Sequence, residues 1–193
     1  MAKVITQTLS TRHDRLAEAA RQVALVVGAS LFVALCAQVT IPLPMTPVPL
    51  TVQNFGVLMV GLLLGSRRGF AAMVLYLIEG AAGLPVFSPV GAIGVARLLG
   101  PTGGFLVAYP FVAFAAGYIF ERGAKSFVRA VSAGIAAEIL LFAGGLAWLY
   151  ALTHSLAKAA YLGLYWFVAA EILKVMFAAA IAVRWSGRVN AHQ

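Results

Sequence analysis

The chain has 193 residues, 62% of them hydrophobic and 10% charged, with a mean hydropathy of +0.95. Soluble domains carry roughly a quarter charged residues, so a water-soluble fold is excluded. The formal net charge of +8 suggests nucleic acid, but the basic residues fall between apolar runs and form no single face, which removes that partner. Cys36 stands alone, which excludes disulfide frameworks and cysteine-ligated metal and reads as a small buried apolar residue.

At about 20 residues per span, this length suits an all-α integral membrane protein of about six transmembrane helices in one domain. Residues 1–21 carry Lys3, Arg12, Asp14, Arg15, Glu18 and Arg21, with Thr11 and Asp14 spaced as a capping box. They read as an interfacial helical turn leading into the first span. The apolar run 22–41 is too long for a signal-peptide h-region and ends in prolines, so it reads as a span. Further runs follow at 52–64, 70–84, 105–120, 128–152 and 159–183. The second and third are short for a ~30 Å hydrocarbon core, which predicts shielding by neighbours or re-entrant boundaries. The membrane domain is thus expected over 22–184, with 185–193 as a tail.

Lys and Arg accumulate on the cytoplasmic side of membrane proteins. Here the amino terminus, Arg67 and Arg68, then Arg122, Lys125 and Arg129, then Arg184 and Arg188 fall at every second loop. Both termini are therefore predicted to be cytoplasmic, and the segments 42–49, 85–101 and 153–158 face outward. The first holds Pro42, Pro44, Pro47 and Pro49, which restrict the backbone to extended conformations and predict a stiff lid. The second mixes Pro85, Pro89 and Pro101 with glycines, a composition suited to an irregular segment packed over a pocket.

Glu79, Glu138, Glu171 and Lys174 lie in or at the ends of apolar runs, where an unpaired charge costs about 2.5–3.5 kcal/mol on insertion scales. Glu171 and Lys174 are three apart and share a helix face, so they neutralise each other or present an acceptor beside a donor to a ligand. Both readings stand at this point. Glu79 offers a second acceptor, and Arg97, almost alone among the basic residues in facing outward, suits an anionic ligand group. Glu138, deeper in its run, reads as a structural hydrogen-bond partner or as a ligand contact. Ala20, Ala24 and Gly28 form a small-residue stripe that permits close helix approach, as does the Gly61 and Gly65 step. Trp148, Tyr150, Tyr165 and Trp166 read as an interfacial belt or as surfaces for stacking on a ligand.

No HExxH or Walker sequence is present, and His13, His154 and His192 are placed at loops or tails. Metal: none, and catalytic residues: none, are the resulting expectations. Binding or transport remains.

Four segments in order then carry a resemblance: 42–53, from Pro42 to Gln53; 61–69, from Gly61 to Gly69; 83–87, from Gly83 to Phe87; and 99–105, from Leu99 to Phe105. Together they resemble the BioY proteins, biotin-specific substrate-binding (S) components of energy-coupling factor (ECF) importers. Glu171-x-x-Lys174 is similar to the family's acidic-x-x-Lys motif, whose usual Asp, often after Gly, is here Glu after Ala170. The resemblance implies a prokaryotic, multi-pass plasma-membrane subunit, not an enzyme, that captures biotin from outside and delivers it inward with an ATP-driven module. It implies biotin as transported ligand, no cofactor, and a coupling protein, ATPase subunits and the lipid bilayer as partners. Glu171 and Lys174 would meet the ureido ring, Arg97 the carboxylate, and Glu79 and Gln53 further polar groups. Phe87, Tyr109 and Tyr150 would cover the apolar parts, and Ala20, Ala24 and Gly28 would dock the coupling protein. The alternatives are an S component for another small vitamin, an intramembrane enzyme using Glu79, Glu138 or Glu171, and a structural membrane partner.

Overall fold

The computed structural model describes residues 2–190, with side chains described from Arg15 to Arg188. Six helices of at least 12 residues build the bundle among the described residues: α1 (Ala2–Gln38), α2 (Gln53–Leu64), α3 (Ser66–Ala81), α5 (Gly103–Glu121), α6 (Phe127–Thr153) and α8 (Val168–Asn190). Two short helices, α4 (Val95–Leu99) and α7 (Leu156–Ala160), lie in the connections. Helix α1 runs unbroken through Thr11 and Asp14, so no helix begins there.

Among the described residues, three segments are long and apolar enough to cross a bilayer: Arg15–Gln38, Gly103–Glu121 and Phe127–Thr153. A fourth is made by Leu156–Tyr165 and Val168–Arg188, which meet at 44°. The apolar run 159–183 is therefore broken. A π-helical turn, Tyr161–Tyr165, separates α7 from α8, and its rings form a cluster with Trp166, whose centroid lies 4.9 Å from that of Tyr165.

Helices α2 and α3, at 12 and 16 residues, rise only about 18 and 24 Å at 1.5 Å per residue. Their shielding is the expected one for α2, where Val57, Leu58, Met59 and Val60 are all buried among α1, α3, α5 and α8. Only Gly65, at φ 85°, separates the two helices, a backbone geometry that favours glycine. Glu121 at the end of α5 closes this turn: its Oε1 accepts from the Ser66 amide at 2.8 Å and its Oε2 from the Ser66 hydroxyl at 2.9 Å. A carboxylate there satisfies an orphan donor and complements the positive end of α3. Elsewhere, the buried Ser30 hydroxyl of α1 donates to Glu79 of α3.

The proline segment is a short hairpin. Two strands, β1 (Thr40–Ile41) and β2 (Leu50–Thr51), pair antiparallel with Thr40 opposite Thr51. The turn between them is fastened down, because the Thr46 hydroxyl donates to the Leu162 carbonyl at 2.6 Å and accepts from the Val48 amide at 3.1 Å. Prolines in the turn remove donors that would otherwise lack partners.

Close approach of α2 to α5 rests on Gly61, where a Cβ would lie 3.0 Å from the Ala116 Cβ and 3.1 Å from the Ala113 Cα. Gly61→Leu is therefore expected to overpack this contact at a cost of about 1–3 kcal/mol. The check is the thermal unfolding midpoint of the detergent-solubilised chain, which falls by several degrees; an unchanged midpoint contradicts this packing.

Candidate functional site

At the hairpin end of the bundle the helices leave a pocket. The hairpin and the start of α2 supply Val48, Pro49, Thr51, Gln53 and Asn54; α5 supplies Phe105, Leu106 and Tyr109; α6 supplies Leu141 and Phe142. Phe167 and Glu171 close it from the α8 side, and Ser88, Arg97 and Thr102 from the connection between α3 and α5. Its empty space, open mouth included, is about 550 Å³. The lining mixes rings and aliphatic groups with a few convergent polar groups, the usual make-up of such a site.

Beneath the pocket lies a polar cluster from three helices, of which Asn54 and Glu171 reach the lining. Lys174 Nζ donates to Glu171 Oε1 at 2.7 Å, an i, i+3 pair on α8. The Asn54 amide nitrogen on α2 donates to Glu171 Oε2 at 2.8 Å and to Glu138 Oε1 on α6 at 2.6 Å. Asn54, Glu138 and Glu171 are all buried. One amide and one ammonium thus hold two buried carboxyl groups, and hydrogen bonds and pairing are what make such burial tolerable; Asn54 Oδ1 and Glu138 Oε2 are left without partners among the described residues. The sequence reading of Glu138 as a hydrogen-bonding group matches this geometry.

A second polar relay supports the wall. Gln53 Nε2 donates to the Tyr76 hydroxyl at 2.7 Å, and that hydroxyl donates in turn to the Val86 carbonyl at 2.8 Å. This ties the start of α2 to the connection that carries Arg97. Arg97 is only 6% exposed; its Nη1 donates to the Val90 carbonyl, while its Nε has no partner among the described residues. Burial pulls the guanidinium below its ordinary pKa, opposed by Tyr76 and Tyr109. It nevertheless remains a cation, and a buried cation without a counter-ion favours an anion.

The structure brings Glu171, Arg97, Gln53 and Tyr109 to one pocket, and adds Lys174 through Glu171. Three expected lining residues lie elsewhere. Glu79 is taken by Ser30. Phe87 packs edge-on against Tyr76, ring centroids 5.3 Å apart, and covers Gly80, where no side chain fits. Tyr150, on the outside of α6, is 52% exposed. Asn54 was missed altogether, as were Phe105, Phe142 and Phe167 in the lining. An amide in the otherwise apolar run 52–64 was the available signal for Asn54, because an unpaired polar group in hydrocarbon is costly.

A wider groove lies between α6 and α8. It is apolar except for Glu138 and Glu171, and it shares Phe142 and Glu171 with the capped pocket.

A helical membrane bundle capped by a hairpin over a small polar-floored pocket is the architecture of a membrane-embedded solute binder, and the fold is that of an ECF S component. A solved structure described as the S-component for biotin from an ECF-type ABC transporter superposes with a TM-score of 0.79, covering 89% of this chain and 93% of that one at 24% identity. The chain belongs to the BioY family, whose pattern it matches over residues 6–191. Among its relatives, the probable biotin transporter BioY of Pyrococcus horikoshii is 38% identical over 171 residues, 87% of this chain and 98% of that protein. The biotin transporter BioY of Rhizobium etli is 38% identical over 78% of this chain and 84% of its own length. That of Thermotoga maritima is 36% identical over 75% and 84%.

Removing Lys174 leaves the Glu171 charge buried without its cation, which costs about 3–5 kcal/mol in known buried pairs. Lys174→Met is expected to lower the thermal midpoint markedly, and Glu171→Gln added to it to recover much of the loss. Two substitutions whose effects simply add would show that the pair carries no coupling.

Proposed function

We propose that this chain is the biotin-binding and transport subunit of an ECF-type importer. The observation that carries it is the cluster of Glu171, Lys174 and Asn54 at the floor of the capped pocket, in a chain of the BioY family. A ureido ring presents two N–H donors beside a carbonyl acceptor. Glu171 is the acceptor for such N–H groups, and Lys174, with donors beyond the one given to Glu171, is the partner for the carbonyl. Arg97 at the far wall is the partner for the valerate carboxylate. Between these polar ends, Phe105, Tyr109, Phe142 and Phe167 supply the apolar cover that a bicyclic ring and alkyl chain need. The protein is a transport subunit and not an enzyme.

On this reading both termini are cytoplasmic in the plasma membrane of a prokaryote, and the hairpin faces outward as a lid. A coupling protein and ATPase subunits supply the energy. Ala20, Ala24 and Gly28 on α1 are exposed, and a Cβ at Gly28 would touch nothing, so this stripe is free for another helix to approach closely.

Equilibrium binding of labelled biotin to the purified chain is the test. Saturable binding is expected, weakened at least tenfold by Glu171→Ala, Lys174→Ala or Arg97→Ala, the loss of one charge-assisted contact being worth about 1.5–3 kcal/mol. No saturable binding by folded protein, or displacement by thiamine or riboflavin as effective as by biotin, would overturn the assignment. A second outcome concerns the stripe: Gly28→Leu is expected to leave biotin affinity unchanged and to reduce co-purification of the ATPase subunits. Equal recovery of those subunits with Gly28→Leu would remove α1 from the docking surface.

A further inference from the structure

Asn54 sits where two carboxylates dictate which way its amide points. Glu138 Oε1 and Glu171 Oε2 both accept from its nitrogen, at 2.6 and 2.8 Å. Glu171, ion-paired with Lys174, only accepts hydrogen bonds, so the NH2 end of the amide must face it. Turning the amide over would set its carbonyl oxygen against the Glu171 carboxylate. The orientation is thereby fixed by chemistry, and both amide hydrogens are used.

What this leaves is the oxygen. Asn54 is 3% exposed and lines the pocket, and its Oδ1 has no donor among the described residues. A buried amide oxygen without a donor costs about 1–3 kcal/mol. Such a group is out of place in a protein wall and in place in a site that receives an N–H from its ligand. Glu171, on the same pocket floor, has each oxygen already engaged once, by Lys174 and by Asn54, and keeps further lone pairs for one more donor.

The geometry points to Asn54 as a ligand-contact residue, its Oδ1 accepting one ureido N–H while Glu171 accepts the other. Glu138 is then a positioning residue, holding the amide with its oxygen free. This rests on the biotin reading above and divides the two N–H groups of the ring between a neutral and a charged acceptor. It also gives a reason for Glu138 in the middle of α6, where it does not line the capped pocket.

The test is a binding cycle between protein and ligand. Biotin and its two derivatives methylated on one or the other ureido nitrogen are titrated into the purified full-length chain and into Asn54→Ala. In the parent, the derivative methylated on the nitrogen that Asn54 takes is expected to bind roughly tenfold or more weakly, the scale of one hydrogen bond lost with its acceptor left bare. In Asn54→Ala that penalty shrinks to about twofold, while the penalty for the other derivative stays as in the parent, a non-additivity that a purely structural Asn54 does not produce. Because Asn54→Ala leaves two carboxylates unbridged, the same titrations are made in Asn54→Ala with Glu138→Gln, which removes one of those charges. Equal penalties for both derivatives in parent and variants would overturn the role of Asn54 while leaving biotin binding in place. A parent chain that binds no biotin at all would overturn the biotin reading, and this inference with it.

Discussion

Two carboxylates buried within one amide's reach are the constraint around which the rest of the site is arranged. Glu138 comes from α6, Glu171 from α8 and Asn54 from α2, and Lys174 adds a cation on Glu171. In a medium of low dielectric, repulsion between the carboxylates is strong and solvent does not relieve it. The cluster holds only while α2, α6 and α8 keep their spacing. Position along each helix therefore matters more than residue type alone, and the three helices are joined at one depth of the bundle.

That requirement accounts for features that look unrelated. Helix α2 starts at Gln53, directly after the hairpin, so that its first turn delivers Gln53 to Tyr76 and Asn54 to the carboxylates. It is short because it is enclosed by other helices and does not have to match the thickness of the bilayer. The break before α8 aims its first turn, with Glu171, at the same spot, and the hairpin is latched to that break through Thr46 and Leu162. Lid and floor are thus mechanically connected through residues 161–167.

Much of this was legible beforehand. The spacing of Glu171 and Lys174 puts them on one face whatever the rotation of the helix, and prolines between apolar runs announce a capping segment. Family motifs gave the membership. What was not legible depends on rotation and on distant partners. Tyr150 has the composition of a stacking residue, but whether it faces pocket or lipid is set by how α6 packs on α5. Glu79 is as polar as Glu171, yet the fully buried Ser30 on α1 claims it. Asn54 carries no charge and so drew no attention in an apolar run, although its amide is what makes two nearby carboxylates compatible. Glu171 meets Lys174 and Asn54 at once, one through each carboxylate oxygen.

The central claim is that the ureido ring of biotin sits on this three-helix polar floor, with the carboxylate toward Arg97. A crystal structure of the chain with biotin bound tests it most directly. The account predicts the ureido oxygen within hydrogen-bonding distance of Lys174 Nζ, the two ureido nitrogens divided between Glu171 and Asn54 Oδ1, and the valerate against Arg97. Biotin in the groove between α6 and α8, or bound with its carboxylate on Lys174, would contradict it.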